Sequence, residues 1–249
     1  MSKEIVRGFR FWLAGGAVVL PAALLGLQGG PDTASASQAN LKQIGQAIAM
    51  YVEDNGGYPM HSSVHVSPQS RWPDRLIIYV KTESVFVAPG AEPDLVTRTW
   101  VHTALAKSPR KYGGYGYNYQ YLGNSRDPSP QEPNLPFAAK PGSIAEPALT
   151  VMVGDTTGAK REDGSFGGVY VLDPPLGSER GSGRGLFYDE GSMPQNRSKP
   201  APRHQGFAAI LFVDGHVKLL TPRQLDDSNG DGRPDNGFWN GYNDAAARR

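Results

Sequence analysis

Oxygen-bearing side chains alternate near the C-terminal end of this chain, in the run DSNGDGRPD at residues 227–235. Carboxylate and amide oxygens at every second position, with a glycine that allows a sharp turn, are typical of loops that wrap a calcium ion. Ca²⁺ is a hard cation that takes several oxygen ligands at flexible distances. The spacing therefore predicts a calcium site, whose ligands would be Asp227, Asn229, Asp231, the backbone carbonyl of Arg233, and Asp235 bound directly or through water.

This loop differs from a sensor EF-hand at its last position. Phe238 stands where a bidentate glutamate would close the coordination shell, so Asp226 or Asp244 would have to complete it. The competing interpretation is a polar turn in which Asp and Asn side chains bond only to nearby backbone groups. We expect a structural ion that holds a C-terminal loop with little core of its own.

Two histidines and two aspartates form a second group of potential ligands. His204, Asp214 and His216 could bind a transition metal, with Asp155 completing the set. In the alternative, Asp214 makes a hairpin turn, and His204 caps the start of a strand or bonds to a neighbouring loop. We expect this structural role, because the spacing does not force the side chains to converge. The chain has no cysteine and no Gly-x-Ser-x-Gly motif, so we expect no enzyme activity.

An amphipathic helix is predicted over residues 38–55. Apolar residues recur at steps of three and four and so share one face; they are Leu41, Ile44, Ala47, Ile48, Tyr51 and Val52. The helix should end at Asp54-Asn55-Gly56-Gly57, because Pro59 forbids its continuation. Residues 28–37 are rich in Gly, Ser, Thr and Pro and predict a break before this helix, with Ser35 or Ser37 as its cap.

A β-rich body is predicted over residues 58–220. Leu149 to Val153 is expected to be one strand and Gly168 to Leu172 another. The apolar runs 207–213 and 216–220 are separated by Asp214-Gly215, which predicts a hairpin closed by a type I′ turn.

Other parts of the body carry weaker patterns. Residues 76–80 form a short strand or a buried segment of another type. Tyr112 to Tyr121 interleaves tyrosines with Gly and Asn, which predicts a kinked strand whose rings pack on a sheet; a stacking surface for sugars is the alternative. Residues 174–203 are poor in apolar side chains and predict an exposed insertion, and residues 221–249 form the calcium loop and tail.

The N-terminal segment carries the signal for cellular location. Lys3, Arg7 and Arg10 precede an apolar stretch from Phe11 to Leu27, and basic residues before such a stretch stay in the cytoplasm while the following chain is exported. The stretch is expected to remain as a membrane anchor; cleavage of a signal peptide at Ala36-Ser37 is the alternative. The net charge of +1 offers no electrostatic footprint for nucleic acid.

Several of these motifs, in this order, resemble one family. They are Asn40-Leu41-Lys42-Gln43-Ile44 leading to Tyr51, then Tyr115-Gly116-Tyr117-Asn118, then Val151-Met152-Val153-Gly154-Asp155-Thr156, and last His204 followed after nine residues by Asp214-Gly215. The chain is similar to pilin-like pseudopilins with a His-x9-Asp-Gly signature, which are related to type IV pilins and to type II secretion pseudopilins. The resemblance extends from about Asn40 to Leu220.

The resemblance implies an α+β fold, in which an apolar spine helix leads into an amphipathic helix packed on an antiparallel β-sheet. Residues 1–37 would be the membrane or spine segment and residues 38–249 the exported domain. The family implies a structural subunit of a filament or pseudopilus, without catalytic residues, and its type II secretion members carry calcium near their C-termini. Gly8-Phe9 could be the prepilin peptidase site, although Leu13 stands where the family has a glutamate.

The family also implies partners and a location. Self-association would run through the N-terminal helix, with other pilin-like or secretion subunits as further partners. The protein would be anchored in the inner membrane with a periplasmic or cell-surface domain, or would form an extracellular filament. The alternative function is a secreted calcium-containing module that binds carbohydrate through the aromatics of Tyr112 to Tyr121, after removal of a signal peptide.

Overall fold

The computed structural model describes residues 31–101, 111–128, 135–160, 164–176 and 197–247. They form a mixed α+β fold in which one long helix lies against an antiparallel sheet. The helices are α1 (Pro31–Asn55), α2 (Trp72–Leu76), α3 (Tyr119–Leu122) and α4 (Pro222–Leu225). The strands are β1 (Tyr115–Tyr117), β2 (Gly123–Asn124), β3 (Phe137–Ala138), β4 (Val151–Asp155), β5 (Ala159–Lys160), β6 (Phe166–Gly167), β7 (Ala208–Phe212) and β8 (Val217–Leu220).

Helix α1 begins at Pro31, earlier than the predicted start at residue 38. The predicted break therefore does not extend through residues 31–37, and residues 28–30 lie outside the described part of the chain. Proline suits the first helical position because its missing N–H would have no partner there. Ser37 is not a cap: its side chain is fully buried, and its hydroxyl lies 2.8 Å from the Tyr115 hydroxyl.

The main sheet has four strands in the order β1-β4-β7-β8, and every neighbouring pair is antiparallel. Every residue of β4 and of β7 is buried, because both faces of the sheet are covered. Alternate residues of β7 point to opposite faces. Ala209 and Leu211 join the core that contains α1, whereas Ala208, Ile210 and Phe212 join a second core.

The apolar stripe of α1 packs on the first face of this sheet, as the periodicity predicts. Leu41, Ile44 and Ile48 are buried. Gly45 allows the helix to approach β7 closely, since a Cβ atom at this position would lie 3.1 Å from Leu211 Cδ1.

The C-terminal segment covers the second face. Trp239 is fully buried in the second core, together with Leu225 and Phe212. The Val151 N–H donates to the Phe238 carbonyl at 2.7 Å, so the segment is also bonded to the start of β4. The sheet is thus enclosed between α1 and the chain's own C-terminal residues.

The predicted C-terminal hairpin is confirmed, but the predicted turn type is wrong. Strands β7 and β8 pair with Leu211 opposite Val217. Of Asp214 and Gly215, only Gly215 has a positive φ, at 91°, whereas a type I′ turn needs two such residues. The Gly215 N–H donates to the Phe212 carbonyl at 2.9 Å, so the loop is longer than the two-residue turn that was predicted. Of its Asp-Gly pair, only the glycine adopts a positive φ.

Short strands were expected within residues 58–101, but the structure has helical turns between residues 72 and 95 and no strand in this range. The 76–80 segment ends α2 and continues as a 3₁₀ turn at Ile77–Tyr79; further 3₁₀ turns lie at Glu83–Phe86 and Pro93–Leu95. Pro73 and Asp74 start α2, since the Arg71 N–H donates to Asp74 Oδ2 at 2.9 Å.

Two other predictions in the body need correction. Residues 168–172 form a turn with a single bridge between Val171 and Tyr117, and not a strand. The exposed insertion predicted at 174–203 is wrong at both of its ends, because Pro174, Pro175 and most of residues 197–203 are buried. Residues 177–196 lie outside the described part of the chain.

Within the described residues, no helix is long and apolar enough to cross a membrane. The predicted membrane segment, from Phe11 to Leu27, lies outside them.

Candidate functional sites

A buried cluster forms around Asp155, the last residue of β4. Its side chain is fully buried, and Asp155 Oδ2 lies 3.0 Å from His204 Nε2 and accepts the Ala209 N–H at 2.7 Å. Asp155 Oδ1 accepts Arg203 Nη1 at 3.2 Å. We call Asp155, Arg203 and His204 the Asp155 cluster. Both carboxylate oxygens are satisfied, which is what a buried charge requires to be stable.

The Asp155 cluster ties several elements together. Arg203 also donates to the carbonyls of Gly114, at 3.0 Å, and of Thr156. His204 Nδ1 lies 3.4 Å from Thr33 Oγ1 in the first turns of α1. Since Arg203 and His204 are 6% and 3% exposed, the cluster is closed to solvent, and its arrangement supports the structural role expected for His204.

The structure does not bring together the four potential metal ligands Asp155, His204, Asp214 and His216. Asp155 pairs with His204, whereas Asp214 pairs with His216 at the hairpin loop, where Asp214 Oδ1 lies 2.5 Å from His216 Nδ1. The His216 ring stacks on Phe212, with centroids 4.4 Å apart. Among the described residues, no three His, Asp or Glu side chains come together as a metal-binding group.

The tyrosines of residues 112–121 pack inside the protein. All five are buried, with exposed fractions from 0% to 2%; they are Tyr112, Tyr115, Tyr117, Tyr119 and Tyr121. Burial raises the pKa of the Tyr117 phenol well above its usual range. The expected packing role is confirmed, and these rings leave no open face on which a sugar could stack.

The 227–235 loop folds around its own polar side chains. Asp227 Oδ2 accepts the Gly232 N–H at 2.9 Å, Asn229 Oδ1 accepts the Asp231 N–H at 3.0 Å, and Asp231 Oδ1 accepts the Arg233 N–H at 2.8 Å. Two glycines with positive φ make this tight path possible; they are Gly230 at 73° and Gly232 at 84°.

Asp235 is buried, unlike the other predicted ligands. It is 5% exposed and accepts the Ser228 N–H at 2.9 Å, the Ser228 hydroxyl at 2.7 Å and the Gly237 N–H at 2.7 Å. With both oxygens bonded to protein donors, Asp235 closes the loop. These bonds position the loop, and the predicted role of Asp235 as a ligand, directly or through water, stays a prediction.

The fit of a calcium ion is supported by one unsatisfied atom. Asp227 Oδ1 is buried and has no hydrogen-bond partner, a costly state for a carboxylate oxygen. Asn229 and Asp231 are in contact, since Asn229 Nδ2 donates to Asp231 Oδ2 at 3.2 Å. Oxygens of this type on an exposed loop suit the ion that the sequence predicts, and the calcium site stays a prediction.

The residues suggested to complete the shell have other bonds. Asp226 accepts Arg197 Nη2, and burial raises the pKa of the Asp226 carboxyl although the Arg197 charge opposes that shift. Asp244 Oδ1 accepts the Ala246 N–H at 2.9 Å. Phe238, at the glutamate position, packs edge-on against Phe212 with centroids 6.4 Å apart.

Arg203, Arg197 and Asn236 are important residues that sequence reasoning did not identify. Each forms bonds to residues far along the chain, such as Asp155 and Asp226. Arg203 could have been noticed only as the neighbour of His204, and Asn236 only as the residue after Asp235. Isolated Arg and Asn residues are common on surfaces, so their types carried no signal.

Comparison with known protein families, with curated proteins and with solved structures finds no match to this chain.

Proposed function

We propose that this protein is a pilin-like structural subunit, exported and anchored by the segment from Phe11 to Leu27, and that it is not an enzyme. One observation carries the proposal: α1 starts at Pro31, close behind the apolar segment, and continues to Asn55 along an antiparallel sheet. A helix placed in this way can continue an apolar helix into the exported domain. We propose that the N-terminal residues form this apolar spine helix.

The contacts of α1 favour a retained N-terminal segment over a cleaved one. The alternative cleavage point, Ala36-Ser37, falls inside α1, and Ser37 is fully buried against Tyr115. Cleavage there would also remove Thr33, which lies next to His204. A mature chain that began at Ser37 would lose the first turns of the helix that the fold uses.

The exposed face of α1 supports the proposed self-association. Its side chains are small or polar, and apart from Met50 none is a large apolar residue; they are Ser35, Ala36, Ala39, Lys42, Gln43, Gln46, Ala49, Met50 and Glu53. Small residues let helices approach closely, so this face can lie against the helix of a neighbouring subunit. Other pilin-like or secretion subunits would use the same face.

Calcium is proposed as the structural ion of the 227–235 loop. Asp227, Asn229 and Asp231 would hold it through side-chain oxygens and Arg233 through its carbonyl, while Asp235 keeps the loop closed. The bound ion neutralises clustered carboxylates and satisfies oxygens that lack a donor. The bound ion would stabilise the C-terminal segment, whose Trp239 covers one face of the sheet.

The test is the mature N-terminus of the full chain after expression in a bacterial host. Membrane and soluble fractions are separated, and the intact mass of the protein is measured in each. We expect membrane-bound protein that begins at Phe9 or keeps the whole apolar segment. Soluble protein that begins at Ser37 would overturn the proposal and favour a secreted binding module.

A further inference from the structure

Four asparagines of this chain are directly followed by a glycine; they are Asn55, Asn229, Asn236 and Asn240. Asparagine is among the thermolabile residues. A following glycine adds to this, because no Cβ hinders its backbone nitrogen from approaching the asparagine side-chain amide. All four pairs lie in the described part of the chain. The dipeptides are identical, so only their surroundings can make one of them more reactive than the others.

Two of the four pairs are closed to attack because they are buried. Asn236 and Asn240 are 0% and 1% exposed. The Gly237 N–H, which follows Asn236, donates to Asp235 Oδ1 at 2.7 Å. Asn240 Nδ2 donates to the Asp244 carbonyl at 2.7 Å. Both asparagines can therefore react only after this part of the protein opens.

The pair at the end of α1 is exposed, but the helix binds both of its reacting groups. The Gly56 N–H donates to the Val52 carbonyl at 2.8 Å. Asn55 Nδ2 donates to the Tyr51 carbonyl at 2.8 Å. The backbone nitrogen and the side-chain amide are thus held in the last turn of α1, and these two bonds must break before they can meet.

The pair Asn229-Gly230 has neither protection. Both residues are exposed, and within the described residues the Gly230 N–H donates no hydrogen bond. Asn229 Oδ1 accepts the Asp231 N–H at 3.0 Å. This donor polarises the side-chain carbonyl and stabilises the negative charge that Oδ1 gains when its carbon is attacked. The nucleophile is therefore accessible, and the electrophile is activated by the loop itself.

We infer that Asn229 is a site of spontaneous deamidation, selected by the fold among the four Asn-Gly pairs. The Gly230 nitrogen gives its proton to solvent and forms a bond to Asn229 Cγ. The Cγ–Nδ2 bond breaks, and Nδ2 takes up a proton and leaves as ammonia, which closes a succinimide ring. Water then opens the ring at either of its carbonyl carbons and leaves aspartate or isoaspartate in place of Asn229. No electrons are transferred, and water is the only co-reactant.

The product changes both the charge and the path of the loop. It adds one negative charge beside Asp227 and Asp231. Isoaspartate also lengthens the backbone by one carbon atom, so it disturbs the bonds between Asn229 and Asp231. The Asp235 N–H donates to the Asp226 carbonyl at 2.8 Å and closes the base of the loop, so we expect the change to stay within it. The modified fraction therefore increases with the age of the protein.

The experiment incubates the purified full chain at mildly alkaline pH. Peptide mapping by mass spectrometry follows the conversion of amide to acid at each pair, and electron-transfer fragmentation distinguishes aspartate from isoaspartate. We expect Asn229 to react about tenfold or more faster than Asn236 and Asn240, since these need an opening step first. Asn55 should also react more slowly than Asn229. In chain unfolded by urea, the four rates should become similar.

Gly230→Ala tests the proposed nucleophile. A Cβ at this position meets no atom within 4 Å, so the methyl group has space, but it hinders the approach of the nitrogen to Asn229 Cγ. We expect conversion of Asn229 to slow by about tenfold or more. Gly56→Ala is the matched control, because Gly56 has an equally open Cβ position and a φ of 70°, against 73° at Gly230. It should leave the rate at Asn229 unchanged.

Three results would overturn the inference. Equal rates at the four pairs of the folded protein would show that the fold selects none of them. A preference for Asn229 that persists in urea would assign the selectivity to the local sequence. An unchanged rate in Gly230→Ala would show that the Gly230 nitrogen is not the nucleophile.

Discussion

His204 Nε2 lies 3.0 Å from Asp155 Oδ2, and this contact joins the residues before β7 to the end of β4. Neither side chain is more than 3% exposed. The histidine of the His-x9-Asp-Gly motif thus makes a buried contact inside the fold. The Asp-Gly part of the motif forms the hairpin loop. The two parts of the motif therefore lie in separate contacts, His204 with Asp155 and Asp214 with His216.

Removal of the Asp155 carboxylate should be strongly destabilising. Asp155→Ala leaves the buried Arg203 guanidinium with only the exposed Glu92 carboxylate, 3.7 Å away, as a counter-charge. The loss of the buried partner should cost about 3 kcal/mol of unfolding free energy. Urea unfolding followed by circular dichroism measures the loss.

Asp127→Ala is the matched control for this change. Asp127 also pairs with a histidine, His65, at 2.7 Å, but its side chain is 66% exposed. An exposed pair contributes less than about 1 kcal/mol. Equal losses in the two variants would contradict the role assigned to burial of Asp155.

Acid should weaken the fold through His61. Burial, and next the Arg126 charge, lower the pKa of the His61 imidazole from 6.5 to about 3. Between these values the unfolded chain takes up a proton that the folded chain does not, so stability falls as the pH drops below 6.5. From pH 7 to pH 5 this group should remove about 2 kcal/mol of unfolding free energy.

His61→Asn isolates this contribution. Asn retains an acceptor for the Ser125 N–H and hydroxyl, which both lie 3.3 Å from His61 Nδ1, but it does not titrate. The difference in unfolding free energy between the two proteins should therefore change by about 2 kcal/mol over this pH interval. Parallel pH profiles would show that His61 is not the responsible group.

A large side chain at Gly45 should disrupt the packing of α1 on β7. Leu211 Cδ1 lies 3.1 Å from where a Cβ would stand, so Gly45→Leu overpacks the contact and costs about 2 kcal/mol. Gln46→Leu places the same side chain on the exposed face of α1 and should have little effect. Chemical denaturation compares the two.

A double variant tests whether the contact with Leu211 is the cause. Leu211→Ala alone creates a cavity in the core and should cost about 2 to 5 kcal/mol. Combined with Gly45→Leu, the loss should be smaller than the sum of the single losses, because the new side chain can enter the space. Additive losses would place the strain elsewhere.

Calcium should stabilise the folded chain, and chelation should reverse the effect. At a free Ca²⁺ concentration of about ten times the dissociation constant, binding adds about 1.4 kcal/mol. Asp231→Asn should abolish this gain while leaving the stability of the calcium-free protein nearly unchanged. Asp94→Asn, at an exposed position in a 3₁₀ turn, should keep the gain.

Asp235→Asn should behave differently from Asp231→Asn. Because Asp235 accepts hydrogen bonds from Ser228 and Gly237, its replacement should lower the melting temperature even in the presence of a chelator. Thermal melts with CaCl₂ and with EGTA distinguish the two residues. A loss confined to the calcium-loaded protein would make Asp235 a ligand, as the sequence alone predicted.

Subunit contacts through α1 should be visible by cross-linking. The chain contains no cysteine, so a single introduced thiol can form a disulfide only with another molecule. Ala39→Cys lies on the exposed face of α1 and should give dimers in membrane fractions under mild oxidation. Lys160→Cys, exposed on β5, should remain monomeric. Equal dimer yields would argue against association through the helix.

Some elements could be predicted from local sequence patterns. The apolar period from Leu41 to Ile48 predicted which face of α1 is buried, and two apolar runs around Asp214-Gly215 predicted the β7-β8 hairpin. These features follow from helix periodicity and from turn chemistry within a few residues. The packing role of the tyrosines in residues 112–121 was likewise predicted correctly.

Other features depend on contacts between residues far apart in the chain, and local patterns did not predict them. Ser37 lies inside α1, where its hydroxyl contacts that of Tyr115, and the Asp74 side chain caps α2, which leads into residues 76–80. The bonds of Asp155 to His204 and of Asp226 to Arg197 join residues that no periodic pattern relates. Buried polar groups must be paired wherever the fold brings a donor and an acceptor together, and only the completed fold selects those pairs.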